Sequence, residues 1–212
     1  MVIAIDGPAG AGKSTVAREL ARELGFTYLD SGAMYRATAL AAMRAGIDSR
    51  DGEALGALAR GLRIRLGDGA VELDGEDVRD AIRSPEVTAA ASEVSVHPEV
   101  RAAMVARQRE LIHSGRYVAE GRDIGTVVSP DAPLKVFLTA SPGERARRRA
   151  AETGEPTDRV ARAQAERDGR DEHREYGALR PAPDAVELDT TDLGVDEVVA
   201  RIVALARERG LA

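Results

Sequence analysis

The chain has no cysteine. Disulfides, thiolate nucleophiles and zinc–thiolate sites are therefore excluded. Histidine is scarce: there are three, and no pair of side chains shows HxxxH or HxxE spacing. A histidine-held metal is not expected. No apolar run approaches the roughly 18 residues of a transmembrane helix. Met1–Ile5 meets an acid and glycines at once, too short a stretch for a secretory signal core. The expectation is a cytoplasmic protein without a membrane partner. A basic surplus is missing too: net charge is −6 and the isoelectric point is about 5.3, so a nucleic-acid coat is not expected. Lysine is nearly absent. Of 30 basic residues only Lys13 and Lys135 are lysines, which makes each informative. What remains is ordinary: 212 residues, 43% hydrophobic, mean hydropathy −0.27, enough for one domain with a buried core.

Patterning predicts an α/β fold. Val2–Ile5 is an apolar run suited to a strand buried on both faces. A glycine-rich stretch follows, then a helix over Lys13–Leu24 closed by Gly25. Phe26–Leu29 reads as a strand ending at Asp30, and Ala33–Ala45 as a helix stopped by Gly46. Leu62–Leu66 and Ala70–Leu73 alternate around a Gly67-Asp68-Gly69 turn. With a third short segment near Val78 they predict an antiparallel meander. Pro85 and Pro98 each open a helix, the second running to about His113. Tyr117–Ala119 and Leu134–Leu138 resume the buried-strand pattern. Helices are predicted from Pro142 to about Ala151 and from about Pro156 to Tyr176. Ala185–Leu188 is a last strand. In the final helix, Val195–Arg209, the residues Val195, Val198, Val199, Ile202 and Leu205 form a core face. Five buried strands separated by helices predict a three-layer fold on a parallel sheet, with the meander as an insertion.

Gly7-Pro8-Ala9-Gly10-Ala11-Gly12-Lys13-Ser14 matches GxxxxGK[ST] between a predicted strand and helix. Glycines let successive N–H groups converge on phosphate oxygens, and the helix N-terminus adds positive potential. Lys13 supplies a point charge, and the Ser14 hydroxyl suits magnesium. Residues 7–15, through Thr15, are the expected ATP cradle. A GTPase switch would need an NKxD guanine reader. The only spare lysine, Lys135, has neither flanking residue, and the length is short for a motor ATPase. A small phosphotransferase remains.

Three blocks, Leu29-Asp-Ser-Gly-Ala-Met-Tyr-Arg36, Glu120-Gly-Arg-Asp-Ile-Gly-Thr-Val-Val128 and Arg167-Asp-Gly-Arg-Asp-Glu-His-Arg174, resemble the signature blocks of the bacterial cytidylate kinases, P-loop nucleoside monophosphate kinases. Pro130–Leu138 and the meander are similar to that family too, so the resemblance spans the chain. It implies a single kinase domain with a core of about 1–30, 116–142 and 178–212. A monophosphate-binding region would span about 31–115 and a lid about 143–177. It implies ATP with Mg²⁺, the acceptors CMP and dCMP, and a monomer.

The chemistry fits. A dianionic acceptor brought to a polyphosphate calls for arginines, and Arg36, Arg122, Arg167 and Arg174 are available. The resemblance implies that Asp123, Arg101 and Ser92 read cytosine and Arg122 its phosphate. A carboxylate accepts from the cytosine amino group but repels the uracil carbonyl. Arg167, Asp171 and Arg174 are spaced to share one helix face. By resemblance the arginines serve phosphates and Asp171 the ribose. Ser31 either contacts the acceptor phosphate or caps its helix. The run Arg145, Arg147, Arg148, Arg149, flanked by acids, corresponds by resemblance to a mobile lid over ATP. Arg145, Arg148 and Arg149 share one helix face, with Arg148 expected on ATP and Arg149 as the catalytic candidate, and the sequence leaves open which of them meets the transferring phosphate. Asp6, Asp30 and Glu120 are the carboxylates available to assist magnesium. Glu120 stands where the family often has aspartate. His97, His113 and His173 read as structural, and Tyr35 and Tyr176 as packing. The nucleophile is an ionised phosphate oxygen, so no general base is needed. The alternatives are a sibling kinase acting on UMP, AMP, shikimate or dephospho-coenzyme A, and a nucleotide sensor that transfers nothing.

Overall fold

A computed structural model describes residues 1–67 and 69–212. Asp68, in the expected meander turn, lies outside them. The chain divides into two compact units, residues 1–28 with 114–212, and residues 29–113.

It starts with β1 (Val2–Asp6), α1 (Lys13–Leu24) and β2 (Thr27–Asp30). The second unit holds α2 (Ser31–Arg44), α3 (Gly52–Gly61), the strands β3 (Ile64–Gly67), β4 (Ala70–Leu73) and β5 (Glu76–Asp77), then α4 (Pro85–Val94) and α5 (Pro98–Ile112). The chain then returns through β6 (Tyr117–Gly121), one π-helical turn at Ile124–Val128, β7 (Leu134–Thr139), α6 (Pro142–Thr153), α7 (Thr157–Glu172), β8 (Val186–Asp189) and α8 (Val195–Glu208).

The main sheet is parallel, in the order β2-β6-β1-β7-β8. β1 sits centrally: Ile5 lies opposite Glu120 and Val136, and Asp6 opposite Gly121 and Phe137. Side chains alternate between the two faces. Ile3, Ile5, Val118, Leu134, Val136 and Leu138 pack with Val16 and Leu20 of α1 and with Val198 and Ile202 of α8. Each such buried side chain contributes about 1.5–3 kcal/mol. Ala4, Asp6 and Lys135 consequently point to the opposite face. The second unit packs its helices against the antiparallel β3-β4-β5 meander around Met34, Leu55, Ile82, Val100 and Met104.

Several expectations change. α3 was not expected from the sequence. Asp51 caps it by accepting from Ala54 N at 3.0 Å. Three glycines in ten residues hid it, since glycine weakens helix propensity. Gly56 is there for packing: a Cβ would stand 2.3 Å from Glu99 Cβ on α5. α2 begins at Ser31, two residues before the expected Ala33. Its cap is Asp30, which accepts from Ala33 N at 2.8 Å, so Ser31 is a buried first-turn residue and not the cap. α7 stops at Glu172, so Arg174 lies beyond the helix and does not continue its face. The end is fixed by His173, whose N–H and Nδ1 both engage the Gly169 carbonyl. In α8, Val195 is 38% exposed. The buried face is Val198, Val199, Ile202, Val203 and Ala206; Val195 shares the direction of that stripe but is the first residue of the helix and stands at its exposed end. Tyr176 is 57% exposed and does not pack.

Candidate active site

The phosphate loop leaves the carboxyl end of β1 and runs into α1. Gly12 takes the left-handed conformation (φ 84°) and, lacking a side chain, caps nothing. The first-turn N–H groups of α1 are thus left for a ligand. Lys13 is buried and donates to the Pro8 carbonyl across the loop at 2.7 Å. Burial pushes its ammonium well below the usual lysine range. Arg122 adds to this, then Arg167, while Glu120 and Asp6 oppose it. Lys13 therefore shares one electrostatic neighbourhood with two arginines of the later blocks.

Ser14 Oγ donates to Glu120 Oε2 at 2.9 Å, and Tyr28 OH bonds Glu120 Oε1. Of the three carboxylates open from sequence, only Glu120 touches the phosphate-loop serine. Asp30 caps α2 and pairs with Arg36 at 3.0 Å. Both oxygens of Asp6 accept backbone N–H groups, from Ile124 at 2.9 Å and Gly125 at 2.7 Å. A hydroxyl beside a carboxylate is the hard oxygen pair that magnesium accepts. No cluster of three or more His, Asp or Glu side chains suited to a metal occurs among the described residues.

Beside the loop lies a cavity of about 660 Å³, lined among others by Gly12, Thr15, Arg148, Thr191, Leu193 and Val198. Arg148 ties α6 to the β8–α8 loop. It donates to Thr190 Oγ1 at 3.0 Å and to the Thr190 carbonyl at 2.5 Å, and pairs with Glu144 at 2.8 Å. Hydrogen bonds from Arg147 and then Arg148 hold the Glu144 carboxyl down at about 2. Arg149 pairs with Glu152 at 3.0 Å on the exposed side of α6. Arg145, part of the expected lid face, is a buried clamp instead. It donates to the Ala9 and Ala140 carbonyls and pairs with Asp168.

Arg122 and Asp123 follow β6. Arg122 Nε donates to Asp171 Oδ2 at 2.9 Å, and Arg174 pairs with the same carboxylate. Asp171 is 1% exposed; burial of the Arg122 guanidinium pushes its proton affinity down. One carboxylate thus holds two arginines with their charge unsolvated and directed. Arg167 is half-buried one turn earlier on α7, and Asp123 is buried. In the second unit, Ser31 and Arg36 sit in the first turns of α2, Ser92 is buried on α4, and Arg101 is buried on α5 beside the Tyr35 ring at 5.7 Å. His97 binds the Ser49 carbonyl at 2.7 Å.

The cytidylate kinase family model matches residues 3–208. The chain belongs to the cytidylate kinase family. It is therefore a nucleoside monophosphate kinase, a phosphotransferase. It is 51% identical over 216 residues to the cytidylate kinase of Solibacter usitatus (strain Ellin6076), covering 99% of this chain and 93% of that one. It is 50% identical to the cytidylate kinase of Geobacillus kaustophilus (strain HTA426), covering 98% and 96%. Among solved structures, a gluconokinase from Sinorhizobium meliloti 1021 is similar in fold, with TM-score 0.52 and 21% identity over 99% of this chain and 93% of that one.

Sequence reasoning found the family blocks and missed the supports. Arg145 is assigned to the lid, Lys135 is weighed only as a guanine reader, Asp6 only for magnesium, and Tyr28 is passed over. Asp6 and Lys135 did carry a signal: each is a charge at a strand position whose neighbours are all apolar.

Proposed function

We propose that this kinase moves the terminal phosphoryl group of ATP to CMP and dCMP, acting as a cytoplasmic monomer on free nucleotides. The observation that carries the reading is the cationic neighbourhood of Lys13, Arg122 and Arg167 within one unit. One buried and two half-buried cations packed so closely repel one another, and a polyanion entering among them relieves that repulsion. No helix among the described residues is long and apolar enough to cross a membrane.

Residues 7–15 grip the donor polyphosphate, and Arg148 lines the cavity for its nucleoside. Lys13 donates to the terminal phosphates, breaking from Pro8 as phosphate oxygens replace the carbonyl. Ser14 and Glu120 would hold Mg²⁺, which supplies charge neutralisation on the phosphates. Arg36, Arg122, Arg167 and Arg174 hold the acceptor phosphate. Ser31 joins them, since Asp30 already caps α2. Asp171 keeps Arg122 and Arg174 aimed and takes the ribose hydroxyls. Asp123, Arg101 and Ser92 read the base. Arg149 closes on the transferring phosphate by giving up Glu152. The acceptor oxygen is already ionised at neutral pH, so catalysis is alignment plus stabilisation of charge on the equatorial oxygens.

An acceptor panel with ATP and Mg²⁺ tests this. Turnover of CMP and dCMP should far exceed that of UMP and AMP. Equal or faster use of UMP overturns the cytosine assignment.

A further inference from the structure

The transfer just described gives no task to Asp6, a buried acid at the carboxyl end of the central strand. We infer that Asp6 is a positioning residue for the acceptor side: its carboxylate fixes the backbone of the turn after β6 and so sets the aim of Asp123 and Arg122. The inference rests on the reading of those two residues as acceptor contacts.

Asp6 lies directly opposite Gly121, the last residue of β6. Ile5 faces the α1–α8 core, so Asp6 faces the other side of the sheet, under the π turn. Its two oxygens accept separately from Ile124 N at 2.9 Å and Gly125 N at 2.7 Å. Ile124 N belongs to the same rigid peptide plane as the Asp123 carbonyl. That carbonyl accepts in turn from Val127 N at 2.8 Å and Val128 N at 3.2 Å. Holding the 123–124 and 124–125 peptides fixes the direction in which Asp123 leaves the chain.

A second support comes from the same face. Lys135 on β7 donates to the Pro130 carbonyl, just beyond the turn, and pairs with Asp184 at 2.9 Å. Its stem lies against Gly125. A Cβ there would stand 3.2 Å from Lys135 Cδ and 3.4 Å from Asp6 Oδ2. The turn is thus held at its start by Asp6 and at its end by Lys135, with no space to slip between them.

Only a carboxylate of this length offers two acceptors to two adjacent N–H groups; an asparagine would turn a donor toward one of them. The acid is retained although burial raises its pKa to about 6, with Asp123 adding to the rise and Lys13 opposing it. A group kept at such an electrostatic cost is expected where geometry matters more than stability.

The test is Asp6→Asn beside Asp123→Asn, with KM measured for CMP and for ATP. D6N should raise KM for CMP about 10-fold or more and KM for ATP by much less. In the double variant D6N should add much less than it does alone, the remainder acting through Arg122. D123N alone should erase the preference for CMP over UMP. If D123N keeps that preference, the acceptor reading fails and this inference with it. If D123N loses the preference but D6N shifts both KM values equally, or only lowers the thermal midpoint, this inference alone is overturned. Should D6N not fold, Gly125→Ala carries the test by crowding the same hydrogen bond from the other side. A selective rise in KM for CMP supports the inference, and unchanged kinetics overturn it.

Discussion

The phosphate loop and the turn after β6 leave the carboxyl ends of paired strands, yet they are built in opposite ways. The loop is made from consecutive residues and mostly from main chain. Gly12 O accepts from Val16 N, and Lys13 bonds back to Pro8 five residues earlier. Distant groups reach its outer carbonyls, Arg145 at Ala9 and Thr190 at Ala11, and Glu120 reaches the Ser14 hydroxyl, but its shape is set by its own main chain. The turn after β6 owes its shape to partners far along the chain. Asp6 comes from 118 residues before Ile124, and Asp171 from 49 residues beyond Arg122. A site made of backbone tolerates change around it and fails when its own residues change. A site made of side chains fails when residues that never meet the substrate are altered.

That contrast can be broken most sharply at Lys13. Lys13→Ala should lower kcat by about 10³-fold, as loss of a preorganised charge does, while the circular dichroism spectrum stays that of the wild type. A variant of near-normal kcat would remove the loop's central charge from the account. The next effect is on stability. The pKa of Asp6 is about 6 in the folded protein against 3.8 for a free aspartate. The native state therefore binds the extra proton. Stability is greatest below about pH 4 as far as this group is concerned, and it declines as pH rises through 6, by about 3 kcal/mol in total. Denaturant unfolding from pH 4 to 8 should show this slope in the wild type and a flatter one in D6N. Equal slopes would mean that Asp6 is better solvated than its burial indicates. The smallest effect is expected at the cavity. Arg148→Ala frees α6 from the β8–α8 loop and should raise KM for ATP about 3- to 10-fold, with KM for CMP unchanged. If KM for CMP moves as much, the strap serves both nucleotides and the contrast between donor and acceptor supports is blurred.

Elements with a strong local pattern were legible. α1 runs from Lys13 to Leu24 as its spacing and Gly25 predicted, and the helices opened by Pro85 and Pro98 begin where proline places them. α3 was not legible, because Gly56 serves contact with Glu99 of α5 and weakens the helix signal that would have shown it. The end of α7 was not legible either. Spacing alone extended it to Arg174, whereas His173 terminates it and Arg174 returns to Asp171 from outside the helix.

By itself the sequence determined the chemistry on offer. It carried a phosphate loop in strand–helix context, the arginine-rich blocks, and the absence of any thiol or histidine set to compete with them. These follow from residues adjacent in the chain, where spacing fixes geometry. Tertiary structure alone decided which carboxylate does what. Glu120 went to Ser14, Asp30 to the start of α2, Asp171 to two arginines and Asp6 to two amides. Strand register and face parity choose the partner of a buried charge, and neither is contained in the few residues on either side of it.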